Sequence, residues 1–306
     1  MGALTGRDFL RVADWKPEEL VELLDLADRL KELQGRREVH HLLPGRTLGL
    51  IFEKPSLRTQ VSFEVGITQL GGTAVHLPVE RIGLGKRESV RDVGLVLSRY
   101  LDGIMIRTFA QSLVVELAEH ATIPVINGLT DASHPCQVLA DAMTIRERLG
   151  RLEGVRVAWI GDGNNVCASL MVIAAKLGMD FVAAVPEGHD PDPGSIGAAR
   201  EAGGSPAVVR DPRAAADGAD VLYTDVWTSM GQEEERDQRL RALGAYRIDS
   251  GLLGTARDDA IVLHCLPAHV GEEIDADVLY GRQSAAWDQA ENRLHAQKAL
   301  MALVLP

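Results

Sequence analysis

The 306-residue chain is predicted to be an α/β protein of two domains, each an open, mainly parallel β-sheet flanked by helices. Three observations predict it. Apolar runs of strand length alternate with stripes of helical spacing, the pattern of parallel sheets covered by helices. Runs such as Ile261-Val262-Leu263 are continuously apolar, as strands buried on both faces are. The alternation pauses near Arg151–Gly154 and restarts, giving a first domain of residues 1–150 and a second from 151 onward, which suits roughly 100–200 residues per domain.

The first run opens on a helix, Pro17–Gln34. Pro17 suits a first helical position, Glu18 and Glu19 favour the helix N-terminus, and Leu20, Leu23, Leu24, Ala27 and Leu30 form one apolar stripe. Strand Leu48–Phe52, helix Leu57–Leu70, strand Ala74–Val79 and helix Ser89–Leu101 follow. Then come strand Gly103–Thr108, helix Ser112–His120, strand Val125–Asn127 and a helix from Gln137 to Leu149 closed by Gly150. The second run reads strand Val155–Ile160, helix Asn165–Leu177 and strand Phe181–Val185. It continues through helix Pro193–Ala202 and strands Val208–Val209, Val221–Thr224 and Ala260–Cys265, and a helix Gln289–Leu303 ends the chain. Pro186–Pro193 is a loop.

Composition narrows the function classes. The chain is 46% hydrophobic and 25% charged, an ordinary globular balance. A net charge of −12 argues against nucleic acid or an anionic membrane as the partner. No apolar run approaches the roughly 20 residues of a membrane span, and Met1–Asp8 lacks the plan of a signal peptide. Three cysteines, an odd number without a C-x-x-C pair, argue against a disulfide framework, so a cytoplasmic protein is expected. Of 32 basic residues only six are lysine. Arginine is the planar fork suited to phosphate and carboxylate, and ordinary surface pairing explains it equally well.

In open parallel sheets the ligand crevice lies at the carboxyl ends of the strands. After Leu48–Phe52 come Ser56-Leu57-Arg58-Thr59 at a helix start, either an anion site or a plain Ser56 cap with a surface Arg58. After Gly103–Ile106 come Arg107 and Thr108, entering either the crevice or solvent. His134 precedes Pro135, which keeps it outside the first turn of the next helix; it is a candidate to polarise a carbonyl or a structural histidine. Gly161-Asp162-Gly163 begins a dinucleotide fingerprint, with Glu187 after the next strand, but Val166 stands at the third glycine position. Asp225, followed by Ser229-Met230-Gly231, suits an amine-bearing ligand under a gating loop, or is a solvated loop. His264-Cys265-Leu266-Pro267-Ala268-His269 admits a metal site without recognised spacing, a Cys–His nucleophile, or a substrate-contacting Cys265, the last being the most economical.

Ser56-Leu57-Arg58-Thr59, Arg107-Thr108, His134-Pro135-Cys136-Gln137, Asp225 with Ser229-Met230-Gly231, and His264-Cys265-Leu266-Pro267 occur together and in order. In this the chain resembles the ornithine carbamoyltransferases from its first helix to its last. The resemblance implies that the first domain, joined by the C-terminal helix 288–306, binds carbamoyl phosphate, and that 151–287 binds L-ornithine. Ser56, Leu57, Arg58, Thr59, Arg107 and Arg293 would hold the phosphate. His134 and Gln137 would meet the carbamoyl end. Asp225 would take the α-ammonium of ornithine, Asn165 and Met230 its carboxylate, with Ser229 nearby. Cys265 and Leu266 would line the reacting groups, and Arg107, His134, Asp225 and Cys265 form the catalytic set. The basic residues beyond Arg58, Arg107 and Arg293 are expected at the surface.

The implied reaction, attack of a neutral amine on a carbonyl, calls for no cofactor and no metal. Domain closure, with Ser229–Gly231 as lid, would exclude water. The resemblance further implies a homotrimer, or a multiple of trimers. Three positions depart from the family pattern, one of them Gln60, where an arginine usually follows the phosphate motif. Leu57 replaces a threonine whose backbone donor survives. Gly83 replaces a glutamine that reaches a neighbouring subunit, and Lys86 or Arg87 is the electrostatic candidate to replace it. Rival readings are a carbamoyltransferase for aspartate, putrescine or acylated ornithine, a nicotinamide-binding oxidoreductase, and a non-catalytic binding protein.

Overall fold

The computed structural model describes residues 2–228, 231 and 233–306. The chain forms two compact units, Met1–Ala140 with Asn292–Pro306, and Asp141–Glu291. Each is built on a parallel sheet.

In the first unit the strands are β1 (Thr47–Phe52), β2 (Thr73–Pro78), β3 (Gly103–Arg107) and β4 (Val125–Leu129). They are all parallel, in the order β2-β1-β3-β4. β3 is buried along its whole length and β1 along its middle four residues, which is why both read as unbroken apolar runs. Ile51, Ile104, Ile106, Val114, Leu117 and Val125 form the core between this sheet and its helices. The helix Pro17–Gly35 buries all five residues of the sequence-predicted stripe, and the Glu19 carboxylate accepts from the Lys16 N–H at 2.7 Å to close its first turn. β2 lies at the edge and exposes Thr73, Val75 and His76, with none of its residues fully buried.

The second unit carries β5 (Arg156–Ile160), β6 (Asp180–Ala184), β7 (Ala207–Val209), β8 (Val221–Thr224) and β9 (Ile261–His264). They run parallel in the order β7-β6-β5-β8-β9 around a core that includes Ala158, Ile160, Leu222 and Val262. In both sheets the chain builds outward from its first strand and then crosses to the other side. The crossing leaves a topological switch point between β1 and β3 and another between β5 and β8, where open α/β sheets bind ligands.

Most boundaries agree with the sequence reading within a few residues. The helix expected over Ser89–Leu101 is shorter, Val90–Leu97: Ser89 caps its start by accepting from the Asp92 N–H at 3.0 Å, and it ends at Ser98, whose hydroxyl donates back to the Gly94 carbonyl at 2.7 Å before a turn. Short helices such as Pro212–Ala216, Ser250–Leu253 and Ala276–Leu279 escape a periodicity argument, since one turn contains no repeat. The expectation that the remaining basic residues lie at the surface is corrected at three positions: Lys54, Arg239 and Lys298 are buried. Each has a polar partner within its unit. Lys54 pairs with Asp131, Arg239 with Asp162, and Lys298 Nζ donates to Gln69 Oε1 at 2.9 Å and lies 3.0 Å from His40 Nε2. Among the described residues no helix is long and apolar enough to cross a membrane.

Candidate active site

The first switch point gathers cations around one histidine. Ser56 caps the helix Leu57–Gln69 and accepts from the Thr59 N–H at 3.4 Å, so the free amides of that turn and the half-buried Arg58 share one end of β1. β3 delivers Arg107 alongside. Its carbonyl accepts from the Glu53 N–H at 2.9 Å, and Thr108 Oγ1 donates to the Glu53 carboxylate, lacing the two strand ends together. The helix Ala286–Val304 returns Arg293, which is buried and donates from Nη1 to Gln137 Oε1 at 2.8 Å and from Nη2 to Thr59 Oγ1 at 3.1 Å. With its amide oxygen turned to the guanidinium, Gln297 accepts from Arg293 Nε at 3.1 Å.

His134 sits in the turn before the helix Pro135–Leu149. That turn is fixed from behind: the Ser133 N–H donates to Thr130 Oγ1 at 3.1 Å, Thr130 donates to Gln111 Oε1 at 2.7 Å, and Asn127 Nδ2 donates to Ser133 Oγ at 3.2 Å. Burial, and then the guanidiniums of Arg293, Arg107 and Arg58, hold the imidazole well below its ordinary range. It is therefore neutral at pH 7 and can donate one N–H to a carbonyl oxygen. Its neighbour Cys136 is fully buried, its thiol pushed up to about 12 by that burial, which suits packing rather than nucleophilic work.

The second switch point is organised around a single acid. Asp225 follows β8 and is mostly buried. Its Oδ1 accepts from Cys265 Sγ and from the Val226 N–H, both at 2.8 Å, and its Oδ2 accepts from Asn164 Nδ2 at 2.8 Å. Asn164 also caps the helix Asn165–Lys176, its Oδ1 accepting from the N–H groups of Val166 and Cys167 at 3.0 and 3.1 Å. Asn165 begins that helix and is half-buried. After β9, His264 is fully buried: Nδ1 accepts from the Leu266 N–H at 2.9 Å, which leaves the proton on Nε2, facing Glu273 Oε1 at 3.0 Å. This clasp holds Leu266 in the left-handed region at φ 58°, a strained conformation for a leucine.

Two rival chemistries fare poorly against this geometry. Among the described residues, two groups bring three candidate metal ligands together, Asp225 with His264 and Cys265, and His269 with Glu272 and Glu273. In the first group both His264 nitrogens and the Cys265 sulfur are already engaged in hydrogen bonds within the protein. In the second, Glu272 pairs with Arg236 and Glu273 Oε1 accepts from His264 and from the His269 N–H. Against the dinucleotide reading of Gly161–Asn165, the Gly163 backbone packs closely on residues 189–191. Asp162 is taken by Arg239 and His189, and a Cβ at Gly163 would lie 2.4 Å from the Pro191 nitrogen.

Comparison with known sequences bears on both halves. Residues 7–147 match the profile "Aspartate/ornithine carbamoyltransferase, carbamoyl-P binding domain", and residues 153–304 match its "Asp/Orn binding domain". The chain belongs to the aspartate/ornithine carbamoyltransferase family. An ornithine carbamoyltransferase of Symbiobacterium thermophilum is 52% identical, with all of both chains covered. One of Pyrococcus horikoshii is 49% identical over 99% of this chain and 97% of its own. The solved ornithine carbamoyltransferase of Pyrococcus furiosus superposes with a TM-score of 0.96 at 48% identity, covering 100% of this chain and 98% of that one.

Within this carbamoyltransferase framework, the structure places Thr59, Gln137 and Arg293 in one hydrogen-bonded group, with Arg58, Arg107 and His134 coupled to it by charge. It joins Asp225 to Cys265 directly. Leu57 is 76% exposed, which leaves its backbone rather than its side chain to serve an anion. Ser229 and Met230 lie outside the described residues. Gly83 occupies the left-handed region at φ 66°, and an added Cβ would meet Arg87 Cβ at 2.7 Å. A glutamine is strained there, and both Lys86 and Arg87 are exposed. Sequence reasoning overlooked Asn164, although an asparagine immediately before a helix is a recognisable cap. It also overlooked Glu273, for which no local signal exists.

Proposed function

We propose that this chain transfers the carbamoyl group of carbamoyl phosphate to the δ-amine of L-ornithine, giving citrulline and phosphate. Family membership supplies the reaction class, and one observation carries the choice of acceptor. The acid Asp225 stands at the second switch point, held ready by Asn164 and Cys265. An ammonium complements it, whereas an aspartate acceptor would call for cations there. Putrescine has no carboxylate for Asn165 or Met230, and an acylated ornithine has no free α-ammonium for Asp225.

In the mechanism supported by these residues, the Ser56–Thr59 turn with Arg58, Arg107 and Arg293 binds the phosphate. Arg107, Thr59 and the neutral His134 donate to the carbonyl oxygen, while Gln137 meets the carbamoyl nitrogen. The δ-nitrogen attacks the carbonyl carbon with its lone pair, and the oxyanion that forms is stabilised by those donors. Collapse breaks the bond to phosphate, which leaves with the electron pair and accepts the proton shed by nitrogen. A free side-chain amine of this kind has a pKa of about 10.4, so the arginines also serve to disfavour its cationic form. Asp225 orients the α-ammonium, and Cys265 and Leu266 border the reacting amine.

Self-association, as a trimer or a multiple of trimers, goes with this reading. Leu57, Val61 and Val65 recur every fourth residue along one face of their helix and are all exposed, and Val75 is exposed on the edge strand β2. A cytoplasmic location is likewise inferred, with all three cysteines outside disulfides. The functional reading is tested by incubating the purified protein with carbamoyl phosphate and ornithine. Citrulline and phosphate should appear in equal amounts, and phosphate without citrulline would overturn it.

A further inference from the structure

Asp141 and Gln289 take no direct part in the acceptor half-site, yet both are essentially inaccessible. Asp141 Oδ1 accepts from Gln289 Nε2 at 2.7 Å, and Oδ2 accepts from the Tyr223 hydroxyl at 3.0 Å. Gln289 Nε2 also donates to the Tyr223 oxygen at 2.8 Å. At its other end, Gln289 Oε1 accepts from the backbone N–H of His264 at 2.9 Å. A carboxylate, an amide and a phenol buried together are costly unless mutually satisfied, so this group has one favoured arrangement. Burial and the nearby Asp141 push the Tyr223 phenol well up, which keeps it protonated as a donor.

The position of the group matters more than its existence. Tyr223 lies on β8 two residues before Asp225, and His264 ends β9 one residue before Cys265. These strands pair in register, Tyr223 against Leu263 and Thr224 against His264. β9 is an edge strand, so the outward N–H of His264 needs a partner from outside the sheet, and Gln289 supplies it. The same segment covers that edge further back, where the Val262 N–H donates to the Gln283 carbonyl at 2.8 Å. Gln289 therefore sets where β9 ends relative to β8, immediately before the 2.8 Å contact of Cys265 with Asp225.

We propose that Asp141, Gln289 and Tyr223 are positioning residues for the acceptor amino acid, fixing the spacing of the β8 and β9 ends that present Asp225 and Cys265. The inference rests on the acceptor reading of those two residues. The expected effect of the triad is on the acceptor half-site, because its outlet is the His264 N–H at the end of β9. Asp141 and Gln289 stand one helical turn from Gln137 and Arg293, whose own hydrogen bond at 2.8 Å makes the carbamoyl phosphate KM the control for that selectivity.

The test is an initial-rate matrix in both substrates for the parent, Gln289→Met and Tyr223→Phe, with melting temperatures measured alongside. Tyr223→Phe keeps the ring contact to Trp159, at 5.0 Å between centroids, and serves as the deciding variant if Gln289→Met does not fold. The KM for ornithine should rise about tenfold in Gln289→Met and about threefold in Tyr223→Phe, with the KM for carbamoyl phosphate within about twofold of the parent. Unchanged constants, equal shifts in both KM values, or a fall in kcat alone would overturn the proposal and leave the triad a support of the fold. A parent that makes no citrulline would instead overturn the acceptor reading.

Discussion

The two switch points solve different electrostatic problems with different materials. The first collects three guanidiniums, from the end of β3, the first turn of one helix and a helix that returns from the far end of the chain. The second holds one carboxylate by an amide, a thiol and a backbone N–H, all from loops next to its own sheet. The difference shows in the histidines. His134 is held neutral by burial and then by surrounding cations, whereas His264 has its tautomer set by hydrogen bonds and serves the backbone. A doubly charged anion requires cations fixed before it arrives. A zwitterionic amino acid requires a correctly aimed acid and little net field.

The largest test of that contrast is Arg58→Ala. It should lower kcat/KM by about a thousandfold if Arg58 makes the proposed charge-assisted phosphate contact. Steady-state kinetics check it, and a loss under tenfold would place Arg58 outside the site. Asp225→Asn should raise the KM for ornithine about a hundredfold and leave carbamoyl phosphate binding, read by calorimetry, unchanged. Equal losses on both substrates would dissolve the division into two half-sites.

Acid pH sharpens the comparison further. The unfolded chain takes up a proton at His134 below about 6.5, whereas the folded site resists it, so the folded state loses stability as pH falls through that range. Melting curves from pH 7 to 5 should show a shallower decline for His134→Asn than for the parent, and no step in the parent's kcat near 6.5. The smallest effect belongs to Lys298, outside both sites. Burial holds it at about 8 against an ordinary 10.5, so the unfolded chain binds the extra proton between those values and stability rises with pH across them. Lys298→Met should remove that rise, read as a melting-temperature difference that narrows from pH 8 to 10.

Much of this was legible in the sequence because parallel sheets put chemistry at strand ends. Ser56, Arg58, Arg107, His134, Asp225 and Cys265 each follow a strand or start a helix, so finding the strands finds them. Arg293 was reached only by family resemblance, since its hydrogen bond to Thr59 spans 234 positions of sequence. Asn164 was overlooked, because a cap before a helix gives no local sign that its amide also reaches an acid 61 positions away. The buried cations Lys54, Arg239 and Lys298 were misread as surface, because a charged residue carries no local sign that a distant carboxylate or amide awaits it. The Asp141–Gln289–Tyr223 group was invisible for the same reason.

The acid at the second switch point is proposed to select ornithine for carbamoyl transfer. Comparing kcat/KM for ornithine, putrescine, N-acetylornithine and aspartate at saturating carbamoyl phosphate tests it most directly. Ornithine should exceed each of the others by at least about a hundredfold, the range expected when a charged group is left unpaired. A comparable or faster rate with any of the other three would contradict it.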